Sequence, residues 1–374
     1  MGSKLKLGFV GFGRQVKRHH FPYLERRMSA KGDIEVAWIS GYLSEHSEEV
    51  ERYLCEHACA AIHRPEEHWR KLLSECPVEG VVISLPNALH LPAAKEAMAK
   101  AVNVAIEKPP TNTAGDCQAL VETAKRLGLV LVTMSQRRYE DVYRTARSFV
   151  DKGQVGEILH INYLIAHKYF YNQWTHSKHM SGGGALIASG YHGIDTMLWL
   201  LRGAIPTLHP ISVSARCIQE YADSPDPERA AFAGRIPDTD RIEVVANVRI
   251  MLDNGGMFNA TASYEGPGES LDENIKIYGK EGTIRIVRDR FARTDNTAAQ
   301  LSYQSRDGQV EQIDTAKWIG KEWSPVEDFV DAIQDKKHGR SWSVESPCSD
   351  SIDTLRVIEA AYESAHSDGR EVPL

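Results

Sequence analysis

The chain has 374 residues, enough for two domains with separate cores, and its 42% hydrophobic and 25% charged residues are those of an ordinary soluble globular protein. A net charge of −7 with no clustered basic stretch argues against a nucleic-acid partner, and no apolar run reaches the length of a membrane span. The N-terminus lacks the apolar core of a secretory signal and Lys6 spoils the myristoylation pattern after Gly2, so a cytoplasmic location is expected.

Leu5–Val10 predicts a strand running straight into Gly11-Phe12-Gly13-Arg14-Gln15-Val16, glycines spaced as in a dinucleotide-binding turn. Gly11 permits a tight turn, and Gly13 leaves room for backbone N–H groups to approach a pyrophosphate at a helix N-terminus. Val16 takes the third motif position, where Gly or Ala is usual. Pro22 is expected to interrupt the first helix unless that helix ends early. Further strands are predicted at Ile34–Ile39, Gly80–Leu85, Val102–Ile106 and Val130–Met134, with helices at Leu91–Lys100 and Ala114–Leu127. Asn112 or Thr113 can cap the latter helix and Gly128 can close it. This alternation favours a parallel sheet covered on both faces.

After about residue 136 the α/β rhythm stops. Tyr143–Lys152 reads as helix and Ile158–Ile165 as strand. Strands follow at Ile242–Leu252, Gly256–Tyr264, Asn274–Tyr278 and Thr283–Val287, with turn signals at 253–255 and 279–282. Their succession suggests a largely antiparallel sheet. Residues 222–240, rich in Pro, Asp and Gly, read as a loop or insertion, and Ser324–Lys336 and Ser349–Ser367 as amphipathic helices. The expected domains are therefore 1–135 and 136–374. Cysteines stand at 55, 59, 76, 117, 217 and 348; Cys55, His57, Cys59 and His63 lack a second ligand pair, so buried or idle thiols and no metal are expected.

Ligands of an open α/β sheet bind beyond the carboxyl ends of its strands. Pro86, Asn87 and His90 follow one apolar strand, and Glu107-Lys108-Pro109-Pro110 ends the next. For Lys108 the alternative is a solvated loop lysine. Ser181-Gly182-Gly183-Gly184 opens a helix that sets His192 and Asp195 one turn apart among small residues, leaving space for a bulky ligand or, equally, for close helix–sheet packing around a satisfied core histidine.

In this order, Gly-Phe-Val-Gly-Phe-Gly at 8–13, Ser-Leu-Pro-Asn-Ala-Leu-His at 84–90, Glu-Lys-Pro at 107–109 and Gly-Gly-Gly-Ala-Leu through Tyr-His-Gly-Ile-Asp at 182–195 resemble the Gfo/Idh/MocA family of glucose–fructose oxidoreductases, inositol dehydrogenases and rhizopine catabolism proteins. The resemblance implies an α/β protein: an N-terminal Rossmann dinucleotide-binding domain, then an α/β domain whose large, mostly antiparallel open sheet often mediates dimers or tetramers. It implies hydride exchange between NAD(P) and a carbinol carbon of a sugar, amino sugar or cyclitol. By position, Lys108 would orient the reacting oxygen and His192 would be the general acid/base, a proton role suited to a near-neutral imidazole. The cofactor would meet Gly11, Phe12, Gly13, Arg14, Gln15, Ser40, Gly41, Leu85, Pro86, Asn87, His90, Glu107 and Lys108. The substrate would meet Gln136, Arg138, Tyr171, Trp174 and Asp195. At the end of the second strand, Ser40-Gly41 supplies no carboxylate to repel a 2′-phosphate, which favours NADP, with Arg14 the near cation; Glu45, Glu48 and Glu49 count against it.

One position departs from the family pattern. Ala188 stands where many members carry Asp, four residues before the histidine. Tyr171, His167, His176 or His179 are candidates to assist in its place. The departure also motivates two alternatives: a nicotinamide-bound regulator or sensor, and an enzyme that uses tightly bound NAD(P) for glycoside cleavage or epimerisation.

Overall fold

In a computed structural model of the chain, residues 4–41, 47–63, 69–168, 173–205, 207–219, 237–265, 271–290, 299–315 and 324–374 are described. Two units emerge, residues 1–139 with 322–352 and residues 140–321 with 353–374.

The first unit is built on apolar runs too short and too continuously buried to face water on either side. It comprises β1 (Leu5–Val10), α1 (Phe21–Lys31), β2 (Ile34–Ser40), α2 (Ser47–Glu56), β3 (Ile62–His63), α3 (Trp69–Glu75), β4 (Gly80–Ile83), α4 (His90–Ala99), β5 (Asn103–Ile106), α5 (Ala114–Leu127) and β6 (Leu131–Thr133). The strands form one parallel sheet in the order β3-β2-β1-β4-β5-β6. Every residue of β4 and β5 is buried, as parallel sheets covered on both faces require. Strand order reverses between β1 and β4, which makes the end of that pair the place where an α/β sheet opens a crevice.

Pro22 does not break a helix. A wide π-type turn at Val16–His20 precedes α1, and Pro22 lies in the first turn of α1, where a missing N–H costs nothing. Thr113 rather than Asn112 caps α5, its side chain accepting from the Asp116 N–H, and Gly128 closes that helix in the left-handed region.

The second unit continues with α6 (Asp141–Asp151), β7 (Ile158–His167), α7 (Lys178–Ser181), α8 (Tyr191–Ala204), β8 (Pro210–Gln219), β9 (Glu243–Leu252), β10 (Met257–Ser263), β11 (Leu271–Gly279), β12 (Gly282–Arg290), β13 (Gln300–Ser305) and β14 (Val310–Ile313). After them come α9 (Pro325–Lys337), α10 (Ser351–His366) and β15 (Val372–Pro373). Nine strands pair in the order β14-β13-β12-β11-β7-β10-β9-β8-β15, antiparallel except for β7 with β10. Alternation along β9 buries Val244, Ala246, Val248 and Ile250 and exposes Asn247 and Arg249. Strands β8, β13 and β14 leave no clear signal in the sequence; SVSARC, QLSYQS and VEQI carry too little apolar alternation to stand out. Most of the loop expected at 222–240 lies outside the described residues.

A single cut at 135/136 is not how the chain divides. Residues 322–352 return to the first unit because α9 buries Val326, Phe329, Val330 and Ile333 in its core. A Cβ on Gly80 of β4 would lie 2.9 Å from Ile333 and 3.0 Å from Phe329, so glycine lets α9 approach the sheet. The buried Arg27 of α1 fastens the other side, donating to Asp33, Asp331 and Gln334.

Candidate functional site

The glycine turn is fixed by two constraints at Gly11. Its φ is +87°, and a Cβ there would stand 2.2 Å from the Ser84 carbonyl oxygen. The Gly11 N–H donates to the Ser40 carbonyl at 2.8 Å, so the turn rests between the ends of β2 and β4. Gly13 differs: it is exposed, and a Cβ would meet nothing within 4 Å. A turn that leaves open space over the amino end of a helix offers unsatisfied N–H groups to an anion, and a dinucleotide pyrophosphate fits that donor set. Arg14 is exposed there, and Gln15 is half-buried. Phe12 turns its ring away into the core, edge-on to Phe9, Phe21 and Tyr53, which leaves only its main chain for a ligand. Val16 is likewise core, fully buried at the start of the π-type turn.

The ends of β4 and β5 supply the next residues. Leu85 and Pro86 are buried, and Asn87 opens a short 3₁₀ turn. His90 is buried with Nδ1 2.8 Å from the Pro109 carbonyl and Nε2 2.9 Å from the Leu85 carbonyl, so it clips the two strand-end loops together. Lys108 is half-buried. Before it, Glu107 is buried, with Oε2 accepting from the Lys108 N–H at 3.0 Å and Oε1 2.5 Å from His20 Nε2. Burial alone would raise this carboxyl; the His20 hydrogen bond, with the His20 and Lys108 charges, outweighs it and holds the group below its ordinary value. Both His90 and Glu107, expected at the cofactor, thus engage their polar atoms within the unit. Ser40 is buried and Gly41 half-buried; Glu45 lies outside the described residues, and Glu48 and Glu49 stand in the first turn of α2.

Arg138 departs from expectation. It is 1% exposed and donates to Asp350 at 2.6 Å and the Glu345 carbonyl at 3.1 Å. A guanidinium so enclosed ties the returning segment 322–352 to the end of β6 and is not presented to a substrate. Gln136, two residues earlier, is half-buried, and its Oε1 has no hydrogen-bond partner among the described residues.

In the second unit Gly183 and Gly184 answer to packing, while Gly182 ends α7 in the left-handed region. A Cβ on Gly184 would be 1.9 Å from the Glu243 carbonyl oxygen, and one on Gly183 would be 2.1 Å from the Tyr362 hydroxyl. The Glu243 carboxylate accepts from the N–H groups of Gly184 and Leu186 and from Tyr362 Oη, each at 2.9 Å. Burial raises this carboxyl despite those bonds. A second π-type turn, Leu186–Gly190, then leads into α8, which bears His192, half-buried, and Asp195, buried. Gly193 lets α8 lie on the ring of Tyr163. Ala188 is half-buried in the π-type turn, and its neighbour Ser189 hydrogen-bonds His167 Nε2 at 2.9 Å. His176 is buried, His179 is exposed, Trp174 is half-buried in a 3₁₀ turn, and Tyr171 lies outside the described residues. Among the described residues no group of three His, Cys, Asp or Glu could hold a metal ion, and no helix is long and apolar enough to cross a membrane.

Residues 5–135 match the oxidoreductase family with an NAD-binding Rossmann fold, and residues 143–285 match the GFO/IDH/MocA C-terminal domain. The chain belongs to the Gfo/Idh/MocA family. Its first unit is the NAD-binding Rossmann domain of that family. D-xylose 1-dehydrogenase [NADP(+)] of Haloarcula marismortui is 28% identical over 246 residues, covering 63% of this chain and 61% of that protein. Inositol 2-dehydrogenase of Salmonella typhimurium is 27% identical over 199 residues, 53% of this chain and 54% of its own. The chain thus spans less than two thirds of the length of either relative. The fold is that of the aldose–aldose oxidoreductase of Caulobacter crescentus solved with glycerol, at TM-score 0.77 and 20% identity over 100% of both chains.

The glycine turn and the strand ends lie where sequence reasoning puts them. That reasoning missed His20, Glu243 and Tyr362, because each makes its contact with a residue distant in the chain and leaves no local pattern.

Proposed function

We infer that this Gfo/Idh/MocA protein catalyses NAD(P)-dependent oxidation, or the reverse reduction, at a carbinol carbon of a sugar, amino sugar or cyclitol. The observation that carries this is the glycine turn, held at φ +87° against Ser84 with open space over Gly13, on the same sheet whose β5 delivers Lys108. Gly11, Gly13, Arg14, Gln15, Gly41, Pro86 and Asn87 would hold the dinucleotide, with NADP favoured by Ser40-Gly41 at the end of β2. Bound NAD(P) supplies the hydride acceptor or donor. The Lys108 ammonium stabilises charge developing on the substrate oxygen, and His192 takes or returns its proton. Gln136, Trp174 and Asp195 are assigned to the substrate, and the open sheet of the second unit to a homodimer or homotetramer.

The test is absorbance at the reduced-nicotinamide band with NADP and NAD over a panel including D-xylose, inositol and amino sugars. Lys108→Ala and His192→Ala are expected to lose turnover by about a hundredfold or more while dinucleotide affinity is largely kept. Full activity in either variant removes that residue from the assignment. Ala188 favours a second reading, a dinucleotide-bound regulator, for which tight binding without turnover on any panel member is the expected result.

A further inference from the structure

Lys108 sits on a mount more elaborate than a surface lysine needs. Glu107 divides its carboxylate between the Lys108 N–H at 3.0 Å and His20 Nε2 at 2.5 Å. His20 is fully buried at the end of the Val16–His20 turn, the stretch that begins three residues after Gly13. Since Glu107 is held in its charged form, it can only accept, so the proton of this contact lies on Nε2. His20 Nδ1 is buried with no hydrogen-bond partner among the described residues. On the other side of Lys108, the Pro109 carbonyl is gripped by His90.

Stability does not account for the pair. A buried carboxylate–histidine contact with an orphaned ring nitrogen gains little over well-packed apolar side chains, because two polar groups must be stripped of water. What the pair supplies is geometry: it links the helix behind the glycine turn to the main chain of Lys108. We propose, on the basis of the role given to Lys108 above, that Glu107 and His20 form a positioning pair that fixes the Lys108 main chain and so the direction of its ammonium group. Neither residue touches the reacting atoms. A shift of an ångström in a group that orients a reacting oxygen lowers turnover by up to about a hundredfold, which sets the expected effect.

Glu107→Gln keeps the volume and removes the charge. In the protein without nucleotide, hydrogen exchange at the Lys108 amide is expected to accelerate about tenfold or more relative to wild type, while the melting temperature stays within a few degrees. With D-xylose and NADP as probes, kcat is expected to fall about tenfold to a hundredfold with NADP affinity within about threefold. Placed on a Lys108→Ala background, the same substitution should cost less than about twofold, since a group that acts through Lys108 has nothing left to position. His20→Gln should lower kcat similarly and non-additively with Glu107→Gln. Unchanged protection of the Lys108 amide overturns the proposal, as does an equal loss of kcat in both backgrounds. Where turnover is too slow to follow, the exchange result alone decides. Failure of the Lys108 role is separate: Lys108→Ala then keeps full activity whatever Glu107 does.

Discussion

Gly193→Ala sets two opposite expectations against each other. By helix propensity alone, alanine at the third residue of α8, which runs on from the preceding π-type turn, would stabilise by up to about 1 kcal/mol. The packing says otherwise, because the new Cβ would lie 2.2 to 2.4 Å from three carbon atoms of the Tyr163 ring, where ordinary contact needs about 3.5 Å or more. Tyr163 is 3% exposed and its hydroxyl donates to the buried Glu273 carboxylate at 3.2 Å, beside the Tyr143 hydroxyl at 2.9 Å. Either α8 lifts from the sheet or the ring swings and abandons a buried charge. Overpacking costs about 1–3 kcal/mol, and a lost hydrogen bond to a charged group adds roughly 1.5–3 kcal/mol. Steric cost therefore exceeds the propensity gain, and a net loss of about 2–5 kcal/mol should lower the melting temperature of the second unit by roughly 5–15 °C. Calorimetry measures it directly. On the role proposed for His192, which α8 carries, kcat should also fall while dinucleotide affinity, assigned to the first unit, stays unchanged. A Gly193→Ala protein that melts at or above the wild-type temperature with full turnover would refute the reasoning.

Asp328 tests an electrostatic cost. Burial pushes its carboxyl up to about 6, with Tyr139 Oη and the Glu345 N–H donating to it at 2.7 Å each. A folded-state value above the unfolded one means that the folded protein holds this proton more tightly, so the group's contribution falls as pH rises from about 4 to 6. Asp328→Asn, whose amide oxygen can accept the same bonds, should be more stable by up to about 3 kcal/mol above pH 6 and equal to wild type below about pH 4, read by urea unfolding at both. Equal stability at every pH would contradict the assigned cause. Gly11→Ala must reconcile φ +87° and a 2.2 Å approach to the Ser84 oxygen; NADP affinity by fluorescence titration should fall at least tenfold, and retained affinity would remove the turn from the cofactor site.

Much of this protein is legible along the chain because its signals are local. β1 through the Gly11–Gly13 turn, the Thr113 cap and Gly128 close of α5, and the switch from parallel α/β rhythm to hairpins each occupy a few consecutive residues, where steric and hydrogen-bonding preferences act. His192 and Lys108 could be proposed because they sit inside such stretches. Tertiary structure alone decided the rest. The apolar stripe of α9 predicts that it packs somewhere, but only β4, with its Gly80, selects the first unit as the place. Arg138 reads as a donor near a ligand until Asp350 is found to enclose it. The glycines at 182–184 look like room for a ligand, yet Gly183 and Gly184 are required by Tyr362 and Glu243, far along the sequence. Burial and close approach are properties of pairs brought together by folding, and no one segment holds both partners.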